Sequence, residues 1–259
     1  MVRRGLAVGL AIILLGGVAA LVMLGRSERG PAKSVRAPVP ASALSAEQVI
    51  RSLMRGSGGQ SRDRPLGASL VRRVLLRDRP GGRILRSLGT RTEFGSRRVL
   101  AVVAQRPGWL AVLTPYVGNS RAAWIPVSGA RLLFEPYTLH VDLSARTLVV
   151  RHEGRVARRI TVAIGRPANA TPTGRFAVTD TLLTGRRDGP YGCCALALTG
   201  RQPNVPQGWT GGDRLAIHGT TNAGTLGTAA SSGCLRAGEA HMRWLIDNVP
   251  LGAPVTIKA

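Results

Sequence analysis

Acidic residues are scarce in this chain. Asp and Glu number 13 against 36 Lys and Arg, a formal net charge of +23 over 259 residues. That imbalance implies an anionic neighbourhood: phospholipid head groups, anionic wall polymers or nucleic acid. No nucleic-acid-binding motif accompanies the charge, so nucleic acid is the poorest fit. The basic residues form no compact tract either. They are scattered as Arg72-Arg73, Arg97-Arg98, Arg158-Arg159 and Arg186-Arg187, the pattern of solvated faces. Aromatic residues are equally few, 4 % of the chain, against 33 glycines and 16 prolines. Such a balance disfavours a helical bundle and fits a turn-rich, strand-rich protein. Hydrophobic content of 44 % still suffices for sizeable cores, which excludes wholesale disorder. The only cysteines are Cys193, Cys194 and Cys234. An odd count with one adjacent pair is not a disulfide framework, and it leaves the pair as either free thiols or a strained vicinal bond. Cys-x-x-Cys is absent and His140, His152, His218 and His241 are dispersed, so no metal-ligand spacing exists.

What is present begins with an apolar run. Leu6 to Leu24 carries no charge and follows Arg3-Arg4. Nineteen residues at helical rise reach about 28 Å, close to the bilayer hydrocarbon thickness. A secretory signal core is shorter and ends in a small-x-small cleavage site; Val22-Met23-Leu24-Gly25-Arg26 offers none. The expectation is an uncleaved signal-anchor over residues 1–25 forming a transmembrane helix, with secretion after cleavage as the alternative. Arg3 and Arg4 favour a start inside the cell, but Arg26, Arg29, Lys33 and Arg36 follow the span and leave charge undecided.

Residues 26–66 form the expected linker, with Gly30-Pro31 and Pro38-Val39-Pro40. Within it Ser45-Ala46-Glu47-Gln48 fits a capping box, and Val49, Ile50, Leu53 and Met54 follow at helical spacing, which gives a short helix over 45–55. Residues 67–135 are expected to be a small β domain. Strand candidates are Val74–Leu76, Val99–Val103, Trp109–Leu113 and Trp124–Val127, punctuated by Asp78-Arg79-Pro80-Gly81-Gly82. The strand–turn spacing resembles a bacterial SH3-like domain; Trp109 and Trp124 serve equally well as a wall-binding surface or as ordinary core. From Pro136 to the end of the chain, 136–259, alternation predicts further strands at 137–143, 147–152 and 160–164, an antiparallel meander. Residues 175–178, 215–217 and 255–257 add more. One helix is expected from about Ala237 to Asn248, with Met242, Leu245 and Ile246 inward and Pro250 beyond its end.

The chemistry concentrates in His218-Gly219-Thr220 and Ser231-Ser232-Gly233-Cys234-Leu235-Arg236. A thiol attacks a carbonyl as thiolate, and a neighbouring imidazole can generate it near neutral pH if the thiol is held about two units below its usual value. Glycine beside each residue allows tight turns and close approach of a substrate. Taken alone, Cys234 would be a small buried hydrophobe and His218 a satisfied core histidine; their pairing reverses both readings.

This stretch resembles the YkuD-type L,D-transpeptidase family. The chain matches the family signature at His218, Gly219, Ser231, Gly233, Cys234, Leu235 and Arg236, and departs at Ser232, where a second histidine is usual. Thr171-Pro172-Thr173-Gly174-Arg175-Phe176 is a further hallmark. The resemblance implies a mainly β, sandwich-like fold and a cysteine acyltransferase, an L,D-transpeptidase of peptidoglycan biosynthesis. It implies Cys234 as nucleophile and His218 as base, with no metal or organic cofactor. Cys234 would attack a stem tetrapeptide, release D-alanine and pass the acyl group to an amine of a neighbouring stem. Gly219 would orient the imidazole through its carbonyl. The N–H groups of Gly233 and Cys234 are the expected oxyanion donors. Ser231 and Ser232 either bind substrate or tie the turn, with turn bonding the stronger expectation for Ser232. Arg236 either holds a substrate carboxylate or fixes the loop through backbone carbonyls. Tyr191, in Tyr191-Gly192-Cys193-Cys194, lies where the family carries a variable segment over the cleft and is a substrate-contact candidate; His241 is expected at the helix surface. Implied partners are peptidoglycan stem peptides, carbapenem-type β-lactams as inhibitors, and the membrane through the N-terminal helix. The domain would then lie on the extracytoplasmic, wall-facing side. The alternatives are an L,D-carboxypeptidase, with water as acceptor, and a non-catalytic wall-binding anchor.

Overall fold

The computed structural model describes residues 65–185, 189–205 and 212–259. The expected signal-anchor and linker helix lie outside them. Among the described residues no helix is long and apolar enough to cross a membrane.

Seven strands build an N-terminal sheet: β1 (Leu66–Leu70), β2 (Val74–Arg77), β3 (Ile84–Leu88), β4 (Val99–Arg106), β5 (Trp109–Leu113), β6 (Ala122–Pro126) and β7 (Ala130–Phe134). Their order is β3-β2-β6-β5-β4-β1-β7, and every pair is antiparallel. Alternation decides which side chains go inward. Leu110, Val112 and Ile125 are buried, while Trp109 and Trp124 stay half-buried on the other face. β1, Leu-Gly-Ala-Ser-Leu, carries little strand propensity; its place between β4 and β7 makes it a strand. One core cluster, including Leu76, Leu88, Leu100, Leu110 and Leu132, closes this sheet.

The second sheet has eight strands, in the order β10-β9-β8-β17-β12-β13-β14-β16. They are β8 (Tyr137–Asp142), β9 (Thr147–His152), β10 (Arg155–Thr161), β12 (Gly174–Leu183), β13 (Cys194–Arg201), β14 (Arg214–Thr220), β16 (Leu235–Gly238) and β17 (Pro254–Lys258). β8, β9 and β10 form the expected antiparallel meander, but its third strand is Arg155–Thr161 rather than 160–164, and Ile164–Gly165 leaves it to pair with Ala229–Ser231. β12 serves two neighbours: its first residues pair with β17 and its later ones with β13. A single core draws from both halves, with Leu139, Leu148 and Ile160 from one and Leu196, Leu198 and Ile217 from the other. Each such fully buried aliphatic side chain contributes about 1.5–3 kcal/mol, so this core, not any single hydrogen bond, holds the sheet. A short parallel pair, β11 (Ile164–Gly165) with β15 (Ala229–Ser231), lies outside it. Helix α1 (Glu239–Asn248) buries Met242, Leu245 and Ile246 against this core and ends before Pro250. Sequence patterning did not reveal β13: its Cys-Ala-Leu-Ala-Leu-Thr-Gly-Arg is buried on both faces, so it does not alternate.

The two sheets pack together. Ala101 and Leu113 meet Ala177 in a shared apolar contact. Asn119 exchanges hydrogen bonds with the Arg201 backbone at 2.8 and 2.7 Å, and Thr92 donates to Asp180. Ser120 Oγ accepts from the Arg175 N–H at 3.0 Å. Glu135 lies at this junction, 2 % exposed, against Val99 and the backbone of Gly67 and Gly252. Its Oε2 has no hydrogen-bond partner. Burial pushes its carboxyl up to about 8, so the folded state holds it protonated where the unfolded chain ionises it.

The consequence for stability has a definite sign. The contribution of Glu135 is complete below pH 4.5 and is lost as pH rises toward 8, at about 1.4 kcal/mol per pH unit. Glu135→Gln, neutral throughout, is expected to flatten this slope and to exceed the wild type in stability at pH 8. Denaturation across pH 5–8 measures it; parallel curves for the two proteins would contradict the buried neutral carboxyl.

Candidate active site

Strand β14 places His218. It pairs antiparallel with β13, Ala195 opposite His218, and parallel with β16, His218 opposite Arg236. His218 is 3 % exposed. Its Nδ1 lies 2.8 Å from the Gly219 carbonyl. A carbonyl only accepts, so Nδ1 carries the proton and Nε2 is left as the basic nitrogen. Gly219 lets Glu239 pack closely: a Cβ there would lie 2.3 Å from Glu239 Oε1 and displace that carboxylate. The Glu239 carboxylate in turn accepts from the Cys193 N–H at 3.0 Å.

Cys234 stands one residue before β16, beside the β14 edge. Its Sγ donates to the Arg214 carbonyl at 3.8 Å, and the Ala216 backbone hydrogen bond favours the thiolate. Thiol and imidazole are not hydrogen-bonded to each other, but both line one cleft of about 130 Å³, together with Tyr191, Ser232 and Arg236. Rotation about the Cys234 side chain and tightening around a substrate are what such a pair needs to engage. A larger groove, about 410 Å³, runs between the sheets past Ala101, His140, Arg175 and Phe176. It holds neither the thiol nor His218, so size does not mark the site.

The turn carrying Cys234 is tied on three sides. Ser231 Oγ donates to the Cys234 carbonyl at 2.6 Å and accepts from the Gly233 N–H at 3.0 Å. Thr171 Oγ1 donates to the Gly233 carbonyl at 2.8 Å and accepts from the Gly165 N–H at 2.8 Å. Gln202 Nε2 reaches the carbonyls of Asn169, Ala170 and Ser232 at 3.1, 3.0 and 3.4 Å. Gly233 has φ 117° and packs against Gln202, where a Cβ would lie 2.0 Å from Nε2.

Several expectations change in this light. The Gly233 N–H is engaged by Ser231, so it is not a free oxyanion donor; the Cys234 N–H has no hydrogen-bond partner among the described residues. Ser231, 1 % exposed, ties the turn through its hydroxyl, and both Ser231 and Ser232 line the cleft. Among the described residues Arg236 bonds no carbonyl with its side chain; it lines the cleft with a buried Nε that has no partner there. Tyr191 sits edge-on to His218, ring centroids 5.1 Å apart. Cys193 and Cys194 form a vicinal disulfide. His241 is half-buried, its Nδ1 enclosed without a partner, because α1 turns that side toward the sheet. Sequence reasoning missed Gln202, Glu239 and Arg214. Nothing local marks them, since each acts on a turn or strand distant in the chain.

The electrostatics also depart from an activated thiolate. Burial pushes the Cys234 thiol up, and the Ala216 hydrogen bond and the Arg236 charge only partly offset it. Burial pushes His218 down to about 4; the Gly219 carbonyl opposes this and the Arg236 charge adds to it. The pair is therefore neutral around pH 7, a thiol beside a neutral imidazole.

Residues 136–257 match the family profile described as the L,D-transpeptidase catalytic domain, YkuD. The provisionally named L,D-transpeptidase YkuD of Bacillus subtilis (strain 168) is 32 % identical over 124 residues, covering 47 % of this chain and 66 % of its own. Its Bacillus licheniformis counterpart is 30 % identical over 122 residues, covering 47 % and 66 %. The match thus spans just under two thirds of each of these relatives. L,D-transpeptidase 3 from Mycobacterium tuberculosis, solved with a faropenem-derived adduct, is 16 % identical, with a TM-score of 0.42 over 62 % of this chain and 91 % of that one. The matched residues take in the second sheet and the cleft that holds Cys234 and His218. Over residues 136–257 the chain is thus similar to the YkuD family of L,D-transpeptidase catalytic domains.

Two outcomes check this geometry. Alkylation of Cys234 by iodoacetamide, read by peptide mass spectrometry, is expected to show no thiolate plateau between pH 5 and 8. Its rate is expected to climb only toward the raised thiol value, because both groups are neutral in that window. Gly233→Ala, forced into a positive φ against Gln202, is expected to cost about 1–3 kcal/mol in denaturation and to slow that alkylation. A variant as stable and as reactive as the wild type would refute the cradle.

Proposed function

We propose that this protein is a peptidoglycan L,D-transpeptidase acting through Cys234 and His218. The observation that carries the reading is the Nδ1–Gly219 carbonyl bond, which fixes Nε2 as the base in the cleft that also holds the thiol. The family match over residues 136–257 supports the reaction class.

In this reading the neutral pair reacts in concert. Substrate enters the cleft and displaces the thiol from the Arg214 carbonyl. Nε2 takes the thiol proton as sulfur attacks the carbonyl of the third residue of a stem tetrapeptide. The Cys234 N–H holds the developing oxyanion. The imidazolium then protonates the departing D-alanine amine, leaving a thioester. An amine of a neighbouring stem attacks that thioester while His218 accepts its proton, and thiol and cross-link are restored. Arg236, with donors left over, suits a substrate carboxylate or carbonyl at the cleft. Tyr191 forms the wall that holds the imidazole in place. Residues 6–24 would anchor the chain in the membrane with this domain on the wall-facing side, and the N-terminal sheet would be its SH3-like companion.

A carbapenem tests the assignment, because opening its ring transfers the whole drug to the attacking sulfur. The wild type is expected to gain one drug mass on Cys234 in intact-mass measurement, and Cys234→Ala to gain none. His218→Gln is expected to slow acylation by about 10²–10⁴-fold, the usual worth of a general base. A well-folded wild type without adduct would favour the wall-binding anchor instead.

A further inference from the structure

Arg214, whose carbonyl accepts the Cys234 thiol hydrogen bond, is itself held from outside the second sheet. The Arg214 carbonyl accepts from Sγ, and two residues along the same strand the Ala216 backbone supplies the bond that favours the thiolate. This end of β14 therefore sets both the position of the sulfur and the balance of its two protonation states. The Arg214 side chain does not point into solvent; it is 12 % exposed. It crosses β13, giving Nε and Nη2 to the Leu198 carbonyl at 3.0 and 2.8 Å. Nη2 also reaches Thr179 Oγ1 on β12 at 2.8 Å. Its last donor, Nη1, pairs with Glu93 of the N-terminal sheet domain, and the Phe94 ring lies 5.8 Å from the guanidinium.

Glu93 is preorganised for that task. Its loop, between β3 and β4, is pinned by Arg98, which donates to the carbonyls of Gly89 and Arg91 at 2.9 and 2.6 Å. Thr92, next in the chain, is bonded to the fully buried Asp180 on β12. Tyr116 donates its hydroxyl to Glu93 Oε2 at 3.1 Å. The loop and carboxylate are thus held by bonds that do not involve Arg214, which lets the contact orient the guanidinium.

We propose that Glu93, acting through Arg214, is a positioning residue for the Cys234 sulfur, so that the N-terminal sheet is part of the catalytic unit. The inference rests on the reading of Cys234 as nucleophile.

The test uses the full chain and three variants: Glu93→Ala, Glu93→Gln and Ser120→Ala. Ser120→Ala removes a different hydrogen bond between the two sheets and leaves Arg214 untouched. Two rates are read on Cys234, acylation by a carbapenem and the pH profile of iodoacetamide alkylation. Thermal unfolding of each variant is followed alongside. Glu93→Ala is expected to slow acylation on the order of tenfold, since small misplacements of a reacting atom cost at least that. The alkylation midpoint is expected to fall, because the thiol loses a fixed acceptor and the unpaired guanidinium favours thiolate. Glu93→Gln, which keeps an acceptor oxygen for Nη1, is expected to recover most of the acylation rate. Ser120→Ala is expected to match the wild type in both rates. Unchanged rate and midpoint in Glu93→Ala, or equal losses in Ser120→Ala, would overturn the proposal. A wild type that forms no adduct while Glu93→Ala still shifts the midpoint would end the reaction assignment and leave the positioning intact.

Discussion

The edge of β14 is the constraint on which this molecule's chemistry depends. One strand presents the His218 imidazole from its middle and offers the Cys234 sulfur an acceptor and a donor from its start. Backbone groups of a strand repeat with fixed spacing, so the backbone partner of the Cys234 sulfur and the His218 imidazole keep a fixed separation along β14. Everything around β14 serves to hold that strand. β13 and β16 flank it, α1 covers the same core, and Arg214 ties its first residue across two further strands. The turn bearing Cys234 is fixed separately, by Ser231, Thr171 and Gln202.

Burial decides the resting charge of the site. A nearby cation such as Arg236 favours a thiolate and disfavours an imidazolium, so on charge alone Cys234 would be activated. The desolvation of both groups is larger for each of them, and it favours the uncharged form of both. The result is a thiol and a neutral base in a confined cleft. Such a site keeps the thiol protonated, and thus less open to stray oxidation, until a substrate carbonyl gives the proton transfer something to drive. The same competition, with no compensating partner, leaves Glu135 neutral between the sheets.

The joint between the sheets is polar as well as apolar. Ala101, Leu113 and Ala177 supply contact area without direction. Asn119, Thr92, Ser120 and Glu93 supply direction, each bonding a specific atom of the second sheet. Their partners lie on β12, β13 and β14, the strands that lead to the cleft. A free binding module on a loose tether would not spend buried polar groups in this way.

The sequence by itself determined the family likeness of the second domain and picked out Cys234 and His218, which the fold brings to one cleft. Histidine-glycine and serine-x-glycine-cysteine are local patterns, and the alternation of β8 and β9 and the spacing of Met242, Leu245 and Ile246 are local too. Local patterns survive in one dimension. What decides roles lies between residues far apart in the chain. Whether Ser231 or Ser232 meets substrate, whether the Gly233 N–H is free, and that Gln202 walls the Cys234 turn all depend on which side chain arrives first at a shared atom. β13 was hidden because burial on both faces erases the alternation that reveals a strand. The protonation state of Cys234 was decided only in the folded molecule, because desolvation is a property of everything packed around the sulfur and of no residue beside it in sequence.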